Sequence, residues 1–189
     1  MKIAVVGGIG TGKSTIMQMF DKLGGITIYT DKLNKELLED KEYIALIKDT
    51  FDNIVIDNKI DKKALRNLIV NNEKARLQLN AIAHPRIINK INELTTGNGL
   101  YFVEIPLFNE ISNLVEFDKI CAVKASDEIR IKRIMNRDNI SEDNAKKIIQ
   151  AQKSEQCVFD IADYIINNEE SFENILKQAE EVFKKCSIG

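Results

Sequence analysis

Three observations predict a three-layer α/β fold: a parallel sheet of about five strands between helices, with a helical substrate lobe and a helical lid added. A glycine-rich loop, Gly7-Gly8-Ile9-Gly10-Thr11-Gly12-Lys13-Ser14-Thr15, follows the apolar run Ile3-Ala4-Val5-Val6 directly and leads into a helical pattern. Short apolar runs then recur between segments of helical periodicity, as expected for strands buried on both faces of a parallel sheet. The stretch from about 31 to 97 is too long for a simple crossover between two such strands and reads as an insertion.

The loop fits G-x-x-x-x-G-K-[ST], and a strand before it with a helix after it is the setting that gives this pattern meaning. Its glycines let the backbone bend around a phosphate with several N–H groups pointing inward, and the following helix adds its positive end. The spacing predicts a P-loop NTPase fold that binds a nucleoside triphosphate through Gly8, Ile9, Gly10, Thr11, Gly12, Lys13, Ser14 and Thr15. In this reading Lys13 reaches the β- and γ-phosphates, and Ser14 supplies an oxygen to Mg²⁺.

The elements follow in order. Ser14 to Leu23 is a helix with Ile16, Met19, Phe20 and Leu23 on one face, stopped by Gly24-Gly25. Ile26 to Tyr29 is the second strand. Helices around Leu33 to Ile47 come next, then a short β-rich piece at Ile54-Val55-Ile56 and a helix from Asp61 to Val70. Another helix leads to His84-Pro85, and proline suits the first turn of a new helix, Arg86 to Leu94. Leu100 to Ile105, Lys119 to Val123 and Tyr164 to Ile166 are the remaining core strands. Helices are predicted at Asp127 to Asn136, Ser141 to Gln152 and Phe172 to Lys185. The layout is a single P-loop kinase domain, 1–189, with a core of about 1–30, 98–136 and 162–189, a lobe of about 31–97 and a lid of about 137–161.

Bulk properties narrow the partners. With 189 residues, 44% of them hydrophobic, the chain can bury one sizeable core. A net charge of −2 gives no global basic field, which disfavours nucleic acid. No apolar run is long enough to span a membrane, and the first residues enter a core strand, leaving no room for a signal peptide. Cys121, Cys157 and Cys186 form neither a metal nor a redox spacing and fit a reducing compartment. The expectation is a cytoplasmic protein, a monomer or weak homo-oligomer, with a small-molecule substrate.

Phosphoryl transfer needs a held γ-phosphate, a metal, charge neutralisation and an oriented nucleophile. Asp31, just past the second strand, suits two roles: orienting or deprotonating a hydroxyl acceptor, and capping the helix after it. Arg130, Arg133 and Arg137 lie on the helix after the fourth strand, with Arg133 and Arg137 four residues apart on one face. They suit either charge neutralisation from a lid or a solvated face. His84 reads as lobe structure with a substrate contact, and Glu104 as a strand-end carboxylate able to meet Mg²⁺ through water. Asn58-Lys59-Ile60-Asp61 matches the N-K-x-D by which GTPases read guanine, and Asp21-Lys22-Leu23-Gly24 their D-x-x-G. The first precedes the third core strand and the second lies inside a helix, so both are coincidences of composition.

With these residues in place, the chain resembles the dephospho-CoA kinases from end to end. Beyond the phosphate loop and Leu23-Gly24, Asp31 falls on the aspartate that closes that family's second-strand motif. Asp61 with Leu65-Arg66 is similar to its D-R-x-x-L-R, His84-Pro85 to its H-P, and Pro106-Leu107-Phe108 with Glu110 to its P-L-L-x-E. Arg133 and Arg137 match its lid arginines. Gln152 and Ala162-Asp163-Tyr164-Ile165-Ile166-Asn167 resemble its late Q and A-D-x-x-I-x-N. The resemblance implies transfer of the ATP γ-phosphate to the ribose 3′-hydroxyl of dephospho-CoA. Asp31, Lys13, Arg133 and Arg137 would be catalytic, Asn167 near the adenine, and Asp31, Arg66, His84 and Pro106 at the acceptor. The sequence departs from the family at Tyr29-Thr30, where Asp-Ala is usual, at Lys35 for an arginine, and at Val158 for an arginine after the lid glutamine. The competing readings are another small-molecule kinase of this fold and a nucleotide-dependent switch.

Overall fold

The computed structural model describes residues 1–106, 116–152 and 158–188. Five parallel strands form one sheet: β1 (Lys2–Val6), β2 (Ile26–Tyr29), β5 (Tyr101–Ile105), β6 (Lys119–Lys124) and β7 (Tyr164–Asn167). Two further strands, β3 (Val55–Ile56) and β4 (Lys59–Ile60), pair apart from it as an antiparallel hairpin. The spatial order of the sheet is β2-β5-β1-β6-β7. β1 lies at its centre, with Val6 opposite Ile105 on one side and Ala122 on the other. Ile3, Ala4, Val5 and Val6 are completely buried, which is why β1 reads as an unbroken apolar run.

The chain divides into two compact units, Met1–Tyr29 with Thr95–Gly189, and Thr30–Leu94. In the first, helices α1 (Lys13–Lys22) and α9 (Phe172–Ile188) place Ile16, Phe20, Ile175, Ala179 and Val182 in one cluster with Ile3, Val5 and Phe102 of the sheet. Phe102 stacks on Phe20 with ring centres 3.9 Å apart. A second cluster joins Ile134 of α6 (Asp127–Asp138) to Ala145 and Ile149 of α7 (Glu142–Ala151), and Ile9 packs against it from the loop after β1. The one-turn helix α8 (Val158–Ile161) buries Val158 and has no counterpart in the sequence reading. Cys121 and Cys186 are buried free thiols, and burial pushes both above the ordinary thiol range. Cys157 lies outside the described residues.

The second unit holds α2 (Thr30–Leu37), α3 (Lys41–Thr50), the β3–β4 hairpin, α4 (Lys62–Asn71) and α5 (Glu73–Leu94). The N-K-x-D run is explained here without a nucleotide. Asp57 and Asn58 make the hairpin turn with φ of 49° and 57°, the left-handed pair that a two-residue hairpin favours. Asp61 then caps α4, accepting from the N–H groups of Lys63 and Ala64 at 2.9 and 3.0 Å. The structure corrects the expected break at His84-Pro85: α5 is one helix of 22 residues with Pro85 inside it. A proline inside a helix removes one N–H and crowds the carbonyl four residues before it, a cost of about 3 kcal/mol that packing must offset. Ala83, Ile87 and Ile91 carry one buried face across the site, and Arg86 Nη1 donates to the Ile82 carbonyl at 3.2 Å.

Asp163 ties β7 to the start of β6, accepting from Lys119 Nζ and from the Ile120 N–H, both at 2.8 Å. Burial pushes its carboxyl up, but these hydrogen bonds together outweigh burial and hold it below the ordinary carboxylate range. A depressed folded pKa means the stabilisation is present above the unfolded pKa and is lost as pH falls through the folded one. Asp163→Asn should therefore lower stability at neutral pH. The gap to the wild type should close as pH drops well below about 4, as urea unfolding at a series of pH values would show.

Candidate active site

β1 ends at Val6, and the next residues turn to feed α1 at its N-terminus. Gly12 is the N-cap in the left-handed region, φ 88°, and a Cβ there would run into the side-chain amide of Asn168. Gly10 has φ 79°, and a Cβ on it would lie 2.9 Å from the Arg130 carbonyl. Both positions combine a backbone shape and a close approach that only glycine accepts. Ser14 and Thr15 are exposed in the first turn of α1, where helix N–H groups lack intrahelical acceptors. The Lys13 ammonium bends back over the loop, donating to the carbonyls of Gly7 at 2.5 Å and Gly8 at 3.3 Å.

The remaining loop carbonyls are held from behind. Arg130 Nε donates to the Ile9 carbonyl at 2.9 Å while its Nη1 meets Asp127 at 2.9 Å. Arg133 Nη1 donates to the carbonyls of Gly10 and Thr11 at 3.2 and 3.1 Å, and its Nη2 to the Asn168 carbonyl at 2.9 Å. Asn168 Nδ2 donates to the Thr11 carbonyl at 2.7 Å. The Ile9 N–H goes to Gln152 Oε1 at 2.8 Å, so the end of α7 reaches the loop as well. A cavity of about 280 Å³ opens here, lined by Gly8, Thr11, Ser126, Arg130, Gln152 and Phe159 among others.

The two arginines read as a pair thus part company. Arg133 is half-buried against the loop, whereas Arg137 is exposed and forms a two-pronged pair with Asp138 at 2.7 and 2.8 Å. Those hydrogen bonds hold Asp138 below the ordinary carboxylate range. Asn167 ends β7, and its backbone N–H and carbonyl both meet the side chain of Gln178. Its Oδ1 is buried without a hydrogen-bond partner among the described residues. The buried asparagine at the loop is its neighbour, and the pattern itself carries that signal. In A-D-x-x-I-x-N the asparagine is the seventh position, which counted from Ala162 is Asn168 and not Asn167. Arg130 was visible only as one of three arginines on a helix.

Asp31 is exposed in the first turn of α2, one residue inside the helix rather than at its cap. An acid there is favoured by the helix dipole. Arg66 is exposed on α4, His84 half-buried on α5, and Pro106 follows β5 directly. Leu107, Phe108 and Glu110 lie outside the described residues. The lobe has its own cavity of about 290 Å³ between α2, α3 and α5, where Arg86 and Lys90 are outnumbered by Glu36, Asp40, Glu42 and Glu93. Among the described residues no group of three or more His, Cys, Asp or Glu is placed to hold a metal ion. Mg²⁺ in phosphoryl transfer is held largely by phosphates and water, so a single exposed hydroxyl such as Ser14 fits it.

The family described as dephospho-CoA kinase matches residues 1–174. A dephospho-CoA kinase of Fusobacterium nucleatum is 34% identical over 186 residues, covering 95% of each chain. Among solved structures, TT1252 from Thermus thermophilus superimposes with a TM-score of 0.85 at 26% identity, covering 99% of this chain and 97% of that one. The dephospho-CoA kinase from Campylobacter jejuni does so with a TM-score of 0.69 at 31% identity, covering 99% and 98%. With a phosphate loop built as above and a family match along most of its length, the chain belongs to the dephospho-CoA kinase family.

Proposed function

We propose that this protein transfers the γ-phosphoryl group of ATP to the 3′-hydroxyl of the ribose of dephospho-CoA, giving coenzyme A and ADP. The observation that carries the reading is the loop after β1, whose carbonyls are drawn back by Lys13, Arg130, Arg133 and Asn168. The Ile9 and Thr11 N–H groups are taken by Gln152 and the Gly8 carbonyl, and the other N–H groups of the loop with the start of α1 are left to face a phosphate chain. Membership of the family supplies the acceptor.

In the reaction the acceptor 3′-oxygen bonds to the γ-phosphorus, and the bond from that phosphorus to the β–γ bridging oxygen breaks. The hydroxyl proton passes to the Asp31 carboxylate, which follows the end of β2 by two residues in the first turn of α2. Lys13 exchanges its carbonyl acceptors for the β- and γ-phosphates. Gly8, Ile9, Gly10, Thr11, Gly12, Ser14 and Thr15 complete the nucleotide site. The Ser14 hydroxyl would hold Mg²⁺, which when bound would supply charge neutralisation at the transferring group. Arg137 leaves its surface pair with Asp138 and joins Arg133 when the lid closes. Arg66, His84 and Pro106 contact the acceptor. The net acidic lobe cavity suits an uncharged arm of the acceptor better than its diphosphate. The protein works in the cytoplasm as a monomer or weak homo-oligomer, without nucleic acid or membrane. The mixed charge disfavours nucleic acid, and no helix among the described residues is long and apolar enough to cross a bilayer.

The test is incubation with ATP, Mg²⁺ and a panel of acceptors, read by mass spectrometry. Dephospho-CoA should gain one phosphoryl group while nucleoside monophosphates and shikimate do not, and the reverse pattern overturns the proposal. Lys13→Ala should lower turnover by at least about a hundredfold while leaving the fold intact, because its charge counts most in the transition state. Asp31→Asn keeps the side-chain size and removes the basic oxygen. It should bind both substrates nearly normally and lose about a hundred- to ten-thousandfold in rate. Normal turnover with a lower melting temperature would assign Asp31 to helix stability instead.

A further inference from the structure

We infer that Asn168 is a positioning residue of the phosphate loop: its side-chain amide fixes the Thr11–Gly12 peptide so that the Gly12 N–H faces the nucleotide. The inference rests on the phosphate-binding reading of the loop. Asn168 is 3% exposed, and its backbone N–H donates to the Lys124 carbonyl at 2.8 Å, which extends the β6–β7 ladder by one residue and anchors it to the sheet. From that anchor Nδ2 donates to the Thr11 carbonyl at 2.7 Å. Arg133 closes a ring on the same group, with Nη1 on the Thr11 carbonyl at 3.1 Å and Nη2 on the Asn168 carbonyl at 2.9 Å.

A trans peptide directs its C=O and N–H to opposite sides. Holding the Thr11 carbonyl towards Asn168 therefore turns the Gly12 N–H the other way. Thr11 is 2% exposed, with its hydroxyl donating to the Gly8 carbonyl at 2.9 Å, so water does not stand in readily if the amide donor is lost. The fit is close as well, since the amide occupies the space a Cβ on Gly12 would need. Asn168 carries no charge and acts through the loop rather than on the phosphate.

Asn168→Asp keeps the shape but sets an acceptor oxygen against the Thr11 carbonyl, and Asn168→Ala removes the group. In the full chain both should raise the Kd for ATP and for ADP by about tenfold or more, as losing a buried hydrogen bond does. At saturating ATP the KM for dephospho-CoA should stay as in the wild type, a split that a general loss of stability does not produce. Folded variants that bind nucleotide normally and only melt earlier would overturn the inference. A measurement on the wild type stands beside the variants: on adding ADP the amide resonance of Gly12 should shift strongly, and an unmoved Gly12 signal in the nucleotide-bound protein also overturns it. Normal ADP binding without transfer to dephospho-CoA would instead count against the proposed reaction and leave this inference standing.

Discussion

Every N–H that a loop aims at a phosphate leaves a carbonyl pointing the other way, and a buried carbonyl without a donor is costly. In this chain five consecutive carbonyls, Gly7 through Thr11, accept hydrogen bonds from side chains. Lys13 serves the first two, Thr11 adds its hydroxyl to the second, and Arg130, Arg133 and Asn168 serve the rest. The loop shape is thus set by its glycines and held by groups behind it. Glycine makes the conformation accessible without selecting it, and the donors select it.

Those donors come from far away in sequence, and the parallel sheet is what gathers them. Arg130 and Ile9 are 121 positions apart, Asn168 and Thr11 157. β1, β6 and β7 are neighbours running in one direction, so their C-terminal ends share an edge. The phosphate loop leaves the first, α6 follows the second, and Asn168 follows the third. This is the general reason ligands of open parallel sheets bind beyond the strand ends. Ile9 packing into the α6–α7 cluster fixes the loop from the side-chain direction too.

Local chemistry was legible in the sequence; the long-range pairing was not. β1 and the phosphate loop follow from apolar runs and glycine spacing, and β2 was bounded to the residue at Ile26–Tyr29. Pro85 misled because propensity favours a helix start, while the buried face of Ala83, Ile87 and Ile91 carries α5 through it. Asn58 to Asp61 matched a nucleotide motif for reasons of turn and cap chemistry alone, and its position before β5 was enough to reject it. Arg133 was singled out by helical spacing, which groups it with Arg137. Spacing could not show that one meets the loop and the other Asp138. Asn168 is marked by the A-D-x-x-I-x-N pattern counted from Ala162, but its partner across the sheet edge, the Thr11 carbonyl, could not be read from that pattern.

The three arginines of α6 also differ in how their charge is met. Arg130 faces Asp127 and Arg137 faces Asp138, each within 2.9 Å. The hydrogen-bond partners of Arg133 among the described residues are neutral carbonyls, those of Gly10, Thr11 and Asn168. Neutral acceptors satisfy the guanidinium's directional need and leave its net charge uncancelled. Arg133 is also shielded from full hydration by its partly buried position, where a charge acts over longer distances than it does in water. A fixed positive charge therefore stands beside the loop before any nucleotide arrives. Binding an anion there requires no ion pair to be broken at Arg133, whereas recruiting Arg137 requires separating it from Asp138. One turn apart on the same helix, the two guanidiniums thus differ in what meets them among the described residues: neutral carbonyls at Arg133 and a surface carboxylate at Arg137.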